Sequence, residues 1–399
     1  METGSKKKRR KCIGAKIDPE IRPQGRLSTY FWPSMKLAEI AALLHQLAPQ
    51  NLQESYDNAG IITGNPDMQI RGVTVTLDCT VAVIEDALSN GCNMVVAHHP
   101  LIFKPLRSLT GKDYVERALM LAIKKDVAVM ALHTNLDNVA HGVNAAMAKK
   151  LALRNTAVLR PRPESLGKIV TYVPTKYVDA VRQAMFAAGA GKIGDYDACS
   201  FNTEGFGTYK PLEGATPFAG KIGQWHTEPE TKVEMVFSIV LQNQIVAALK
   251  EAHPYQEVAY DVFQLKNAHP EIGAGMVGDL ELATPLKDFL NTVQSAFKTH
   301  SIRYTIPRDA NIQRVALCGG SGSFLLQDAI RSGAQAFVSA DFKYHEFFDA
   351  EDRIAILDIG HFESEQYTTD LIANYLKEKL PTFAVRFSGV NTNPIKYHH

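Results

Sequence analysis

From Met35 onward, Leu37, Ile40, Leu43, Leu44 and Leu47 recur at helical spacing and give one apolar face, so a helix opens the patterned part of the chain. Short apolar runs then alternate with helix-length segments. Gly72–Asp78, Asn93–Ala97 and Val127–Leu132 read as strands, with Val81–Leu88 and Val115–Lys124 as helices between them. Strands spaced by helices imply parallel pairing with helices on the sheet faces. The end of the chain repeats the scheme, with strands predicted near Arg314–Cys318, Ala336–Ser339 and Ile354–Asp358.

The two blocks share details as well as order. Asp86 to Gly91 followed by Met94–Ala97 parallels Asp328 to Gly333 followed by Ala336–Ser339. The strand ending at Leu132 leads to His133, with Asp137 four residues on, and Ile354–Asp358 leads to His361, with Glu365 four residues on. The fold class expected is therefore α/β, with two similar half-domains over residues 35–159 and 269–399. Any two α/β units share helix, glycine and strand in that order, which is the plainer account of the likeness. Residues 160–268 break the scheme. Lys168–Val173, Val233–Leu241 and Val258–Gln264 read as strands, and Thr175–Ala188 and Gln244–Ala252 as helices. That order suggests an inserted ferredoxin-like α+β domain. Residues 189–231, rich in Gly and Pro, are expected to form a hairpin with a long mobile loop.

Composition narrows the function classes. With 399 residues, 45% of them apolar and 21% charged, the chain reads as a soluble protein of two or three domains. It has no apolar run long enough for a membrane span and no secretory signal, so a cytoplasmic protein without a membrane partner is expected. Five scattered cysteines without a C-x-x-C pair indicate neither a disulfide framework nor a thiolate zinc site. The net charge of +1 hides an asymmetry: residues 1–34 hold nine of 43 basic and three of 42 acidic side chains, leaving 34 minus 39, or −5, on the rest. An acidic body argues against nucleic acid as a partner. The run Lys6–Lys11 reads either as a nuclear address or nucleic-acid arm, or as part of a disordered basic tail, an expression remnant or a false start ahead of Met35.

The chemistry concentrates at strand ends. His98 and His99 emerge at the carboxyl end of a buried strand, where open α/β sheets place ligands. Neighbouring side chains on extended backbone point opposite ways, so the pair can serve two ions or bridge one two-metal pocket. Further candidate ligands, His133 with Asp137 and His361 with Glu365, follow comparable strands. If 362–380 is helical, Glu365 lies one turn from His361 and the two can converge on one ion. A carboxylate can also bridge two ions. Imidazole and carboxylate together suit Zn, Fe, Mn, Co or Ni. Asp341 and His345 follow the strand that matches the one before His98. They can orient a ligand, hold substrate or shuttle a proton, or they are a helix N-cap and a surface residue. Gly319, Gly320, Ser321 and Gly322 lie between a strand and the helical segment Phe324–Ile330, as an anion-binding loop or a plain tight turn.

Taken together, four motifs resemble one family: the dinuclear-metal proteins known as GTP cyclohydrolase 1 type 2 homologs, or Nif-three-like proteins. The motifs are Ser55-Tyr56-Asp57-Asn58-Ala59-Gly60, Ala97-His98-His99-Pro100, His133-Thr134-Asn135-Leu136-Asp137 and Gly360-His361-Phe362-Glu363-Ser364-Glu365. The likeness runs from near Met35 to about 395. It implies two similar α/β halves enclosing two divalent ions, held by His98, His99, Asp137, His361 and Glu365, with His133, Asp341 and His345 beside the site. It also implies that 160–268 is similar to the PII and CutA proteins, with His253-Pro254-Tyr255-Gln256-Glu257 as the turn before its last strand, and that the chain forms a homohexameric ring. Residues 1–34 have no counterpart in the pattern. Five imidazole and carboxylate ligands at strand carboxyl ends, with a glycine loop nearby, lead to the expectation of a metal-dependent hydrolase in which a bridging hydroxide attacks a nucleotide-like or small phosphorylated substrate. GTP cyclohydrolysis itself rests on the family name only. The alternative is a regulatory ring that senses a metal or a small effector.

Overall fold

Val73–Thr76, Met94–Ala97 and Ala128–Ala131 are buried at every position, as strands covered on both faces must be. They pair in parallel, and Gly60–Thr63 adds an antiparallel edge. This is the first sheet of a computed structural model that describes Met1 and residues 34–398. The basic run Lys6–Lys11 and nearly all of the 1–34 tail reading lie outside the described residues. Helices Val81–Ser89 and Tyr114–Lys124 cover one face of the sheet, burying Val83, Ile84, Ala118 and Ala122 against Val95 and Val129. Helix Leu37–Leu47 covers the other with Leu37, Ile40 and Leu44, as its apolar spacing requires.

The second sheet has the same kernel. Asn311–Ser321, Ala336–Ala340 and Ala355–Asp358 run parallel, flanked by antiparallel Arg303–Tyr304 on one side and by Gly273–Pro285 and then Arg154–Pro161 on the other. Helix Leu286–Phe297 packs Phe289, Val293 and Phe297 into its core.

The two sheets are interlocked, and this corrects the expected boundaries. Helix Thr368–Lys379 places Ile372, Ala373 and Leu376 in the first half's core, and Val385–Phe387 joins the first sheet beside Val73–Thr76. In exchange, helix Val143–Lys150 buries Met147 and Ala148 in the second core, and Arg154–Pro161 pairs in the second sheet. The cut near residue 159 therefore divides chain order but not packing, because each of these apolar faces finds its cover on the far sheet.

Between the halves lies a βαββαβ unit. Its antiparallel sheet has the order Tyr260–Leu265, Leu166–Pro174, His226–Ser238, Phe201–Tyr209. Helices Val178–Ala187 and Gln242–Ala252 cover one face over Ile169, Val233, Met235 and Phe237. Residues 189–231 do contain a hairpin arm, Phe201–Tyr209 on His226–Ser238. The strand expected at Val233–Leu241 begins earlier, at His226, and Ile239–Leu241 is a 3₁₀ turn. Thr227 and Pro229 are exposed, and Lys232 and Glu234 alternate with buried Thr231, Val233 and Met235, so the first half of the strand carries no apolar signal. No helix among the described residues is long and apolar enough to cross a membrane.

Candidate metal centre

The strand Met94–Ala97 ends where the chain delivers His98 and His99 to the crevice between the two sheets. His98 is fully buried, and its Nδ1 donates to the Leu132 carbonyl at 2.7 Å. That bond fixes the ring so that Nε2 faces inward, 3.8 Å from Asp137 Oδ1 and 3.7 Å from Glu365 Oε1. His98 Nε2 and Asp137 Oδ1 are both shut off from solvent and lack a hydrogen-bond partner. Two buried orphans facing one another are costly unless something is held between them.

A second set of atoms lies alongside. His99 Nδ1 donates to Asp78 Oδ1 at 2.7 Å and its Nε2 lies 2.9 Å from Glu365 Oε2. His361 Nδ1 donates to Asp341 Oδ2 at 2.6 Å, and its Nε2 sits 3.1 Å from Glu365 Oε2 and 3.2 Å from His99 Nε2. His361 and Glu365 open and close the one-turn helix His361–Glu365, so the predicted i, i+4 pairing holds. Ligand atoms of His98, His99 and Glu365 all lie within 4.8 Å of one another, a group able to hold a metal ion.

Electrostatics follow from this crowding. Burial opposes a charge on His361, but the Asp341 and Glu365 carboxylates outweigh it and raise the imidazole to about 11. His99 is raised to about 9 in the same way, burial being overcome by Asp78 and Glu365. For His98, burial wins and the pKa falls. Burial, then the Glu365 charge, pushes Asp137 up, whereas His98 and His361 outweigh the burial of Glu365 and pull it down. One carboxylate is thus strongly anionic and its neighbour is held back from ionising. Burial and those two acids push Cys318, at the wall of the crevice, upward, which keeps it a neutral thiol.

The structure assigns the remaining sequence candidates unequally. His133 lies with its ring 5.5 Å from His98 and 5.6 Å from His99, and its Nδ1 donates to Asp57 Oδ1 at 2.7 Å. Asp341, at a strained φ of 60°, touches the site through His361. His345 does not join it: the side chain is exposed on the 3₁₀ segment Tyr344–Ala350, packed between the rings of Tyr344 and Phe348. The anion-loop reading of Gly319–Gly322 is also corrected. Gly319, Gly320 and Ser321 belong to the strand Asn311–Ser321, and the N–H groups of Gly319 and Gly320 are already given to Asn144 Oδ1 and Ser364 Oγ. The glycine at 320 serves proximity, since a Cβ there would run into the Glu365 carboxylate and lie 3.2 Å from His361 Cε1.

Two functional carboxylates escaped the sequence reading as site residues. Asp57 sat inside a quoted motif and Asp78 in no motif at all, yet each ties down a histidine. The available signal was position: Asp78 lies two residues past Val73–Thr76 just as His99 lies two past the neighbouring strand.

A cavity of about 830 Å³ opens over these atoms, walled by Tyr56, Phe103, Phe324 and Arg160. A family model described as Duf34/NIF3 (NGG1p interacting factor 3) matches residues 35–394. The chain belongs to the DUF34/NIF3 family. Among similar DUF34/NIF3 relatives, the GTP cyclohydrolase 1 type 2 homolog of Halalkalibacterium halodurans is 37% identical over 371 residues, spanning 91% of this chain and 100% of the relative. The protein of that name from Bacillus subtilis is 34% identical over 364 residues, spanning 90% and 98%. A Bacillus cereus protein related to NIF3 has a solved structure that superposes with a TM-score of 0.79 at 32% identity, covering 92% of this chain and 100% of that one. The motif resemblance to the Nif-three-like family is thus confirmed.

Proposed function

We propose that the crevice holds two divalent transition-metal ions and that the protein is a metal-dependent hydrolase for a small phosphorylated or nucleotide-like substrate. The observation that carries this reading is the posture of Glu365: Oε1 faces His98 while Oε2 faces His99 and His361. His98, Asp137 and Glu365 would hold one ion, and His99, His361 and Glu365 the other. At metal–ligand bonds of ~2.0–2.2 Å, tetrahedral ligand atoms stand about 3.4 Å apart. The observed separations of 2.9–3.8 Å bracket that value. Nitrogen and oxygen donors without thiolate suit Zn, Fe, Mn, Co or Ni.

Such a pair of ions, when bound, supplies Lewis acidity: it acidifies water and polarises a carbonyl or phosphoryl oxygen. The protein's own part is orientation. Asp78 and Asp341 hold the Nδ1–H of His99 and His361, which aims each Nε2 inward and raises its basicity. Asp57 holds His133 at the cavity wall, where its ring can keep or pass a proton. The aromatic walls offer apolar contact to an organic substrate, and Arg160, 3.7 Å from Asp328, can turn its cation to an anionic group. The name carried by the relatives, GTP cyclohydrolase 1 type 2 homolog, makes purine nucleotides the first compounds to assay.

Elemental analysis of protein purified without chelator should find close to two equivalents of transition metal. His99→Ala and Glu365→Gln should each release most of it and abolish hydrolysis in a screen of nucleotides, phosphodiesters and cyclic amides. Full metal retention in both variants would overturn the site. Full metal with no turnover would overturn the hydrolase and leave the regulatory ring, whose hexameric state size-exclusion with light scattering reads directly.

A further inference from the structure

The βαββαβ unit has a cavity of its own, about 850 Å³, far in sequence from the metal ligands. One face of its sheet is covered by helices, and the cavity lies on the other. There the hairpin loop folds back: the Thr216 N–H donates to Gln256 Oε1 in the turn before the last strand at 2.9 Å, and within the arm the Tyr209 hydroxyl donates to the Ala219 carbonyl at 3.1 Å. The lining is mixed: Lys210 and Lys232 lie on it with several polar residues, and an aromatic cluster forms one part, with Tyr209 and Phe218 standing 6.0 Å and 5.5 Å from Tyr255, centroid to centroid.

Beside this aromatic cluster is a carboxylate. Glu230 is 92% buried, being 8% exposed, and its Oε1 accepts the Tyr255 hydroxyl at 2.6 Å. Its Oε2 has no donor among the described residues. Room for that oxygen exists because residue 207 is glycine, where a Cβ would collide with the carboxylate. The nearest cation on the same strand, Lys232, is turned to Glu234 at 3.2 Å and does not neutralise Glu230. Burial and the Glu230 carboxylate both push the Tyr255 phenol upward, so it remains a proton donor. With Oε1 taken by Tyr255, Oε2 is left facing the cavity, where a hydrogen-bond donor of a ligand, most favourably a charged one, can replace water on it. Phe218 already has the Lys176 ammonium 5.1 Å from its ring centroid, which leaves Tyr209 and Tyr255 as the rings nearest Glu230 to face a ligand cation, while all three can pack the ligand's apolar body.

We propose that this cavity binds a small primary amine with an aromatic or alkyl body, its ammonium on Glu230 and its body among Tyr209, Phe218 and Tyr255. The site stands independently of the metal reading. Benzylamine is the probe and benzyl alcohol its neutral counterpart, each titrated calorimetrically into the full-length protein. Benzylamine should bind saturably, and Glu230→Gln should weaken it by about tenfold or more while changing benzyl alcohol little. Phe218→Ala, which removes a loop wall and leaves the sheet intact, should weaken both probes. Metal content should be the same in all variants, which separates failure here from failure of the metal site. Absence of saturable benzylamine binding would overturn the proposal, as would equal affinity in wild type and Glu230→Gln, or an unaltered affinity in Phe218→Ala should Glu230→Gln not fold.

Discussion

Four imidazoles in the crevice are held by one device: Nδ1 is committed, to the Leu132 carbonyl for His98 and to Asp78, Asp57 and Asp341 for His99, His133 and His361. Committing one nitrogen fixes ring direction and tautomer and leaves the other for the site. Asp78→Asn should therefore lower metal affinity by ~10–100-fold with the fold retained, as read by chelator competition and circular dichroism. Asp57 tests the same device through acid. Its burial raises the pKa, but bonds from His133 and Thr134 outweigh this and lower it to about 2. A depressed carboxylate contributes stability that is full above its unfolded value of ~3.9 and lost as pH falls through the folded one. Asp57→Asn should cost about 1–3 kcal/mol near neutrality. Urea melts should show the gap to wild type closing between about pH 4 and pH 2; a constant gap would contradict the assignment. The histidines were legible in sequence because each follows a buried strand. Asp57 and Asp78 were not, since a lone acid after an apolar run reads equally as a turn residue. His345 misled because its neighbour Asp341 does reach the site while the next turn carries the ring outward.

At the scale of elements, strands buried on both faces were legible as apolar runs, within a residue or two at Met94–Ala97 and Ala128–Ala131. Arg154–Pro161, exposed along most of its length, went unmarked, as did Gly273–Pro285, whose buried first half carries glycines at 273, 275 and 278 in place of an apolar run. The glycines at 319 and 320 looked like a loop because glycine usually breaks a strand, whereas here it lets a strand approach two side chains. The segment after Val385–Phe387 is as consequential as any helix. Thr392 Oγ1 donates to Asp78 Oδ2 at 2.6 Å, and Asn393 Nδ2 to Glu363 Oε1 at 3.1 Å, so the chain's last stretch braces the partner of His99 and the one-turn helix of His361. Thr392→Val should weaken metal retention against a chelator, with an unfolding midpoint within ~0.5–1.5 kcal/mol of wild type, the worth of one hydrogen bond. Unchanged retention would show that Asp78 needs no brace.

At the scale of the molecule, the similar halves were visible as repeated strand, helix and ligand order, but their exchange of outer elements was not, because an amphipathic helix does not announce which sheet it covers. Leu376 belongs by sequence to the second half and by packing to the first core, where it is fully buried. Leu376→Ala should cost ~2–5 kcal/mol. Fluorescence and circular dichroism should then report one shared, lowered unfolding transition for the two halves; a second half that keeps its wild-type midpoint would argue against the interlock.

The strand Val385–Phe387 also sets a timetable. A chain emerging from the ribosome exposes His98 and His99 early, yet the sheet beneath them lacks its outer strand until Val385–Phe387 has been made, which is later still than Glu365. The candidate ligand atoms of the crevice can therefore come together only once the chain has been made past Glu365, long after the histidine pair.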